Sequence, residues 1–209
     1  MSKKEAFGYG TFLSTAPYSE ALPPPPSHYN APLSTHAPGN PEKWFKKDKI
    51  FDDLIKENFL KDYELASKNE YDEWQDSPLE SLALVLLFDQ FPRNMFRDDK
   101  KAFEQDHRSR LIVNDAVYAG SLDAMDLDQR FFMILPLIHS EEITDHDMAY
   151  YLLAKYLKDH PDLINIKRFW KNHTTAIKKF HRYPHRNKAL GREATNEEIN
   201  FLKETSSSW

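Results

Sequence analysis

Three groups of polar side chains in this chain combine the residue types that hold an anion and move a proton. The first is Asp89, Arg93, Asn94 and Arg97, the second His139 with Glu141, and the third His185, Arg186, Asn187 and Arg192. Guanidinium forks match carboxylate and phosphate oxygens, and imidazole is the side chain whose ordinary pKa lies nearest neutrality. In this reading Arg93, Asn94, Arg97, Arg186, Asn187 and Arg192 bind the ligand. His139 and His185 act as acid or base, and Asp89 and Glu141 orient a histidine and fix its tautomer. The same residues also serve a purely structural account, in which Asp89 pairs with Arg186, the asparagines satisfy loop backbone and the arginines cap helix ends. Both accounts stay open at the level of sequence.

The third group belongs to a cationic segment. Residues 163–192 carry nine Lys and Arg and no acidic residue, within a chain of formal net charge -5. Such a block is either neutralised by acids elsewhere in the fold or held for an outside anion. Asp52 to Asp76, with nine Asp and Glu against three Lys, is the expected internal counterpart. Lys167, Arg168, Lys171, Lys178, Lys179, Arg182 and Lys188 interleave with Phe169, Trp170, Phe180 and Tyr183, a composition suited to single-stranded nucleic acid. That partner is the lesser alternative, because these aromatics fall on the apolar face of a helix.

No metal site and no cofactor is expected. His181 and His185 have the spacing of two ligands on one helical face, but Pro184 lies between them, and a His-Glu-x-x-His pattern is absent. Ser140 beside His139 has no Gly-x-Ser-x-Gly elbow around it. The absence of Cys excludes disulfides, thiolate metal sites and a cysteine nucleophile.

The elements that must position these groups read as helices. Phe51, Leu54, Ile55, Phe59, Tyr63 and Ala66 recur at the helical period. Ser77-Pro78-Leu79-Glu80 carries the signature of a helix start, and the body from Leu79 to Phe91 is apolar nearly all round, which makes it the expected central helix, ended or kinked at Pro92. Leu111 to Ala119 leads to Gly120 as a C-terminal cap. Asp126 with Gln129 opens a helix expected to break at Pro136, Thr144 with Asp147 marks another, Leu163 to Phe180 traces the next, and Thr195 with Glu198 caps a short last one. No segment alternates as a strand. The fold class is all-α, with about seven helices.

Residues 1–41 differ from the rest. Eight of the thirteen prolines lie there, including Pro23 to Pro26, so this stretch is expected to be an extended or disordered tail preceding a helical domain over 42–209. The longest apolar run, Leu82 to Phe88, is far short of the roughly 20 residues that cross a bilayer, so no membrane is expected. Residues 1–40 have no Arg and no apolar signal core, which favours the cytoplasm and leaves a mitochondrial location open.

Taken together, Leu86-Leu87-Phe88-Asp89-Gln90-Phe91-Pro92-Arg93-Asn94, Leu135-Pro136 with His139-Ser140-Glu141, and Arg182-Tyr183-Pro184-His185-Arg186-Asn187 with Leu190-Gly191-Arg192 and Thr195 resemble the three signature blocks of the domain-of-unknown-function family nine-two-four. Trp44-Phe45 and Asp106 match as companions, so the resemblance runs from about Trp44 to Leu202. It implies an all-helical fold similar to tetratricopeptide-repeat proteins and no established activity, although no repeat of about 34 residues is visible. The chain departs from the family pattern at His181, where glycine is usual, at Phe88, where leucine is usual, and at His146, where glutamine is typical. Two functions follow as expectations. One is a site for a small anionic molecule, a phosphate or a carboxylate, with or without catalysis. The other is a protein partner bound in a groove between helix pairs, with the polar motifs structural.

Overall fold

The computed structural model describes residues 48–204, and the proline-rich stretch 1–41 and Trp44-Phe45 lie outside them. Among the described residues there are seven helices and no strand. They are α1 (Lys49–Ser67), α2 (Pro78–Val85, continuing through a π-turn at Leu86–Gln90 and a last turn at Phe91–Met95), α3 (Asp106–Tyr118), α4 (Leu127–His139), α5 (Ile143–Tyr156), α6 (Leu163–Phe180) and α7 (Asn196–Lys203). Short 3-10 turns at Asp72–Asp76, Lys100–Phe103, Ser121–Ala124 and Pro184–Arg186 join them.

Helix α2 is central, as its all-round apolarity predicts. Leu82, Val85 and Leu87 are completely buried, and Phe88 nearly so. α1, α3 and α4 pack on it, while α5 and α6 close over α4. α1 turns Ile55, Phe59, Tyr63 and Ala66 inward, and the Phe59 ring stacks on Phe91 at 4.4 Å. Leu54, expected on the same face, is instead 52% exposed.

Pro92 distorts its helix, whereas Pro136 does not break its own as the sequence suggests. Pro92 has no N–H to give to Phe88 and crowds that carbonyl. The widened turn just before it, in which the Phe91 N–H reaches back to Leu86 O, absorbs the mismatch and lets α2 run on to Met95. Pro136 lies inside α4, which continues to His139 with every residue from Met133 onward buried. Packing of that face outweighs a cost of about 3 kcal/mol for an interior proline.

Two helix starts differ in detail. Ser77 makes no side-chain cap; its carbonyl accepts from Ser81 N at 2.8 Å, and Pro78 supplies the first turn. α5 begins at Ile143 with Glu142 as N-cap, not at Thr144, because Ser140 Oγ already accepts the Glu142 N–H and turns the chain. The capping boxes Asp126/Gln129 and Thr195/Glu198 form with both reciprocal bonds. Gly120 adopts φ +74° after α3, the left-handed geometry of a C-terminal cap.

Candidate functional site

The π-turn that accommodates Pro92 also sets Asp89, which is completely buried. Its carboxylate meets His139 Nδ1, at 2.9 Å from Oδ1 and 2.8 Å from Oδ2. His139 is the last residue of α4. Arg93, one turn after Asp89, donates to the Asp89 carbonyl and lies 3.2 Å from its Oδ1. The other end of the Arg93 fork donates to Asp106 Oδ2 at 3.0 Å. Asp106 opens α3 and receives Arg186 Nη1 on the same oxygen, also at 3.0 Å. Arg186 Nη2 then donates to the His139 carbonyl at 2.9 Å, which closes the circuit.

Two aromatic rings hold the Arg186 plane. Its guanidinium carbon lies 4.5 Å from the Phe103 ring centre and 4.6 Å from that of Tyr183. The Tyr183 hydroxyl donates to the Ile138 carbonyl, and its N–H donates to Glu141 Oε1 at 2.7 Å. Arg192 grips Glu141 with both Nη atoms, at 2.7 and 3.0 Å, after Gly191 turns the chain at φ +64°. The His185 ring lies 5.4 Å from Tyr183, His173 lies 5.7 Å from Tyr183, and His139 lies 5.9 Å from His173. The structure thus gathers Asp89, Arg93, His139, Glu141, His185, Arg186 and Arg192 about Tyr183 and Asp106.

Three residues read as ligand-binding go elsewhere. Asn94 and Arg97 both donate to Asp52 on α1, Asn94 Nδ2 at 2.8 Å and Arg97 Nη2 at 2.7 Å. They tie α1 to the end of α2. Asn187 donates to Glu198 Oε2 at 3.2 Å, beside the Arg182 fork that grips the same carboxylate. Conversely, Asp106 enters the network although the sequence marked it only as a companion of the motifs. An acid in the first turn of a helix reads as a dipole partner, so nothing in the pattern separates it from an ordinary cap. His173 and Tyr183 likewise read as core residues.

Burial and charge set the protonation states. Burial would raise Asp89, but Arg93 and His139 outweigh it and hold the carboxyl well below its usual range. Burial lowers His139, and Arg93 and Arg186 add to that against the pull of Asp89. His139 is therefore neutral at pH 7, its Nδ1 proton facing Asp89. Nε2 makes no hydrogen bond among the described residues, and the side chain is 9% exposed. Burial, followed by Arg186, Arg93, His139 and Arg192, pushes His185 down to about 3. Burial opposes ionisation of Glu141, yet the Arg192 fork and the Tyr183 N–H keep it below the ordinary range. Asp106 Oδ1 and Arg186 Nε are buried without a hydrogen-bond partner among the described residues.

The basic segment is partnered differently from expectation. Lys179, Arg182, Arg186 and Arg192 pair with Glu197, Glu198, Asp106 and Glu141, not with residues 52–76. Trp170 and Tyr183 are fully buried, so neither offers a face to a base. A cavity of about 590 Å³ lies between α1 and the Lys100–Phe103 turn, lined by Leu60, Tyr63, Phe96 and Lys101 among others, and includes no residue of the network. Among the described residues no group of three or more His, Asp or Glu side chains is placed to hold a metal ion, and no helix is long and apolar enough to cross a membrane.

The chain belongs to the family described as bacterial protein of unknown function (DUF924), which it matches over residues 29–206. It is similar to the solved structure of a protein of unknown function from Agrobacterium tumefaciens, at 35% identity and a TM-score of 0.71, over 79% of this chain and 90% of that one. No curated protein matches.

Proposed function

We propose that the Asp89–His139 pair is the acid/base element of a site for a small oxyanion, a carboxylate or a phosphate, that docks against Arg93 and Arg186. The observation that carries this reading is the orientation of His139. Its Nδ1 is committed to both Asp89 oxygens, which leaves Nε2 as the basic lone pair of a neutral imidazole. Arg93 is 20% exposed, and Arg186 lies over the rings of Phe103 and Tyr183. The π-turn under Asp89 fits the reading, since such turns recur at functional sites.

A second reading has its own support. Each guanidinium of the circuit already meets a carboxylate, so the network is balanced without an outside anion. On that account the circuit locks the α2, α3 and α4 ends together, and function lies in a protein partner held on another face. Thermal unfolding in the presence of an anionic metabolite panel separates the two. The site reading expects a carboxylate or phosphate to raise the melting temperature of the wild type, with the increment lost in Arg93→Lys and in His139→Asn. A panel without any such increment favours the structural account.

A further inference from the structure

Lys56, Leu60, Tyr63 and Ser67 follow one another at intervals of three or four residues, so they share one stripe of α1. Core packing takes up only the edge of that stripe: Tyr63 is buried, whereas Leu60 is half-buried. Residues 96–105, from just past α2 through the Lys100–Phe103 turn, run opposite, and the space between the two is the cavity of about 590 Å³. Small-molecule sites commonly enclose about 300–1,000 Å³.

The wall and the rim of this cavity differ in chemistry. The Tyr63 and Phe96 rings lie 5.4 Å apart at 56° and, with Leu60, make an apolar wall. Lys101 places its Nζ 5.7 Å from the centre of the Phe96 ring. Glu104 lies close enough to the Tyr63 hydroxyl to interact with it, so an acid marks the Tyr63 end and a cation the Phe96 end. Around the rim, Lys56, Lys68 and Lys101 stand against Glu64 and Glu104, and none of the five makes an ion pair among the described residues. The arginine network is balanced by its own acids, whereas this rim keeps one formal positive charge. That surplus suits a monoanion, and the two glutamates repel a polyanion.

We infer that this cavity binds a flat, apolar monoanion, an aromatic carboxylate, whose ring lies on the Leu60–Tyr63–Phe96 wall and whose carboxylate meets Lys101. The wall supplies affinity through buried apolar area, and Lys101 sets the orientation. No residue of the Asp89–His139 network lines the cavity, so this second site stands apart from the reading above. Gln105 lines the cavity and the next residue, Asp106, holds Arg93 and Arg186, so a test must tell the two places apart.

Titration of the 209-residue chain with sodium naphthoate at pH 7, followed by NMR, makes that distinction. Saturable binding is expected, with intermolecular NOEs from the naphthalene ring to the Leu60 methyl groups and the Phe96 ring. Lys101→Glu, at an exposed position, should weaken binding about tenfold, and neutral naphthalenemethanol should bind the wild type more weakly than naphthoate does. Excess formate, which has the charge without the ring, should leave naphthoate in place. Absence of saturable binding overturns the inference, as do NOEs confined to residues outside the cavity or equal affinities for wild type and Lys101→Glu. Displacement by formate would put the carboxylate at Arg93 and Arg186, which overturns this inference and supports the other site. None of these failures removes the Asp89–His139 reading, whose own test uses Arg93→Lys and His139→Asn.

Discussion

His139 Nδ1 lies 2.8 Å from Asp89 Oδ2, joining the last residue of α4 to the π-turn of α2. Both side chains are buried, and the carboxylate also carries Arg93. Replacing Asp89 by Asn removes one of the two carboxylates that Arg93 meets, Asp106 being the other, and takes the counter-ion from the buried end of the pair. Breaking such a pair from one side costs about 3–5 kcal/mol. Urea unfolding should show that loss for Asp89→Asn, and the double variant Asp89→Asn/Arg93→Met should lose clearly less than the sum of the single changes. Strict additivity would mean that the two side chains are not coupled.

Stability should fall steeply on the acid side of neutrality. His139, His146, His173 and His185 all have folded pKa values lowered by burial first of all. The unfolded chain therefore binds protons below about pH 6.5 that the folded protein refuses. Stability is full above that pH and declines below it, down to about 3 for His185. Asp89, Glu141 and Glu198, whose values are also lowered, add a further loss from about pH 4 downward, which for Glu198 continues to about 2. The unfolding free energy from urea titrations should be level from pH 8 to about 6.5 and then drop toward pH 4 with a slope equivalent to one to two protons, about 1.4–3 kcal/mol per pH unit. A flat profile between pH 7 and 5 would contradict the assignment of neutral buried histidines.

His181 closes α6 at φ +54°, where its N–H bonds to Ile177 O at 2.8 Å and the side chain is exposed. This is the left-handed cap position that glycine fills without strain. His181→Gly should stabilise by about 1 kcal/mol in thermal unfolding. Gly191 gives the converse case. A Cβ there meets nothing within 4 Å, so Gly191→Ala should cost about 1 kcal/mol from its φ of +64° alone.

His146 is completely buried. Its Nε2 donates to Ser140 O at 3.0 Å, and its Nδ1 meets Thr174 Oγ1 at 2.8 Å. An amide side chain can also donate to one partner and accept from the other. His146→Gln should change stability by less than about 1 kcal/mol, whereas His146→Leu, which removes the donor to the Ser140 carbonyl while Thr174 keeps its bond to Trp170 O, should cost about 1–3 kcal/mol. Equal costs for the two variants would count against the hydrogen bonds as the reason for a polar residue here.

The helices were legible where local chemistry decides them. The Asp126/Gln129 and Thr195/Glu198 caps form as read, α6 spans Leu163–Phe180 as its periodicity states, and Leu82 to Phe88 fill the centre. Pro136 misled because tertiary packing outweighs what proline does alone, whereas at Pro92 the helix is distorted by a widened turn and ends at Met95, leaving Asp89, Arg93 and Asn94 near its C-terminal end as read. The motif blocks pointed to a shared cluster, but which arginine meets which acid was hidden. Asp52 holds Arg97 and Asn94, and Asp106 holds Arg93 and Arg186, across separations that no local rule spans. Asp106 itself looked like a helix-start acid, which it also is.

The central claim is that His139 presents a basic Nε2 toward an oxyanion site built on Arg93 and Arg186. Nitrogen-15 NMR of the histidine rings at pH 7, with and without sulfate, addresses it directly. The account predicts His139 as the Nδ1–H tautomer with an unprotonated Nε2 whose shift moves in a saturable way as sulfate is added. An Nε2–H tautomer, or a His139 signal indifferent to sulfate and formate alike, would contradict it.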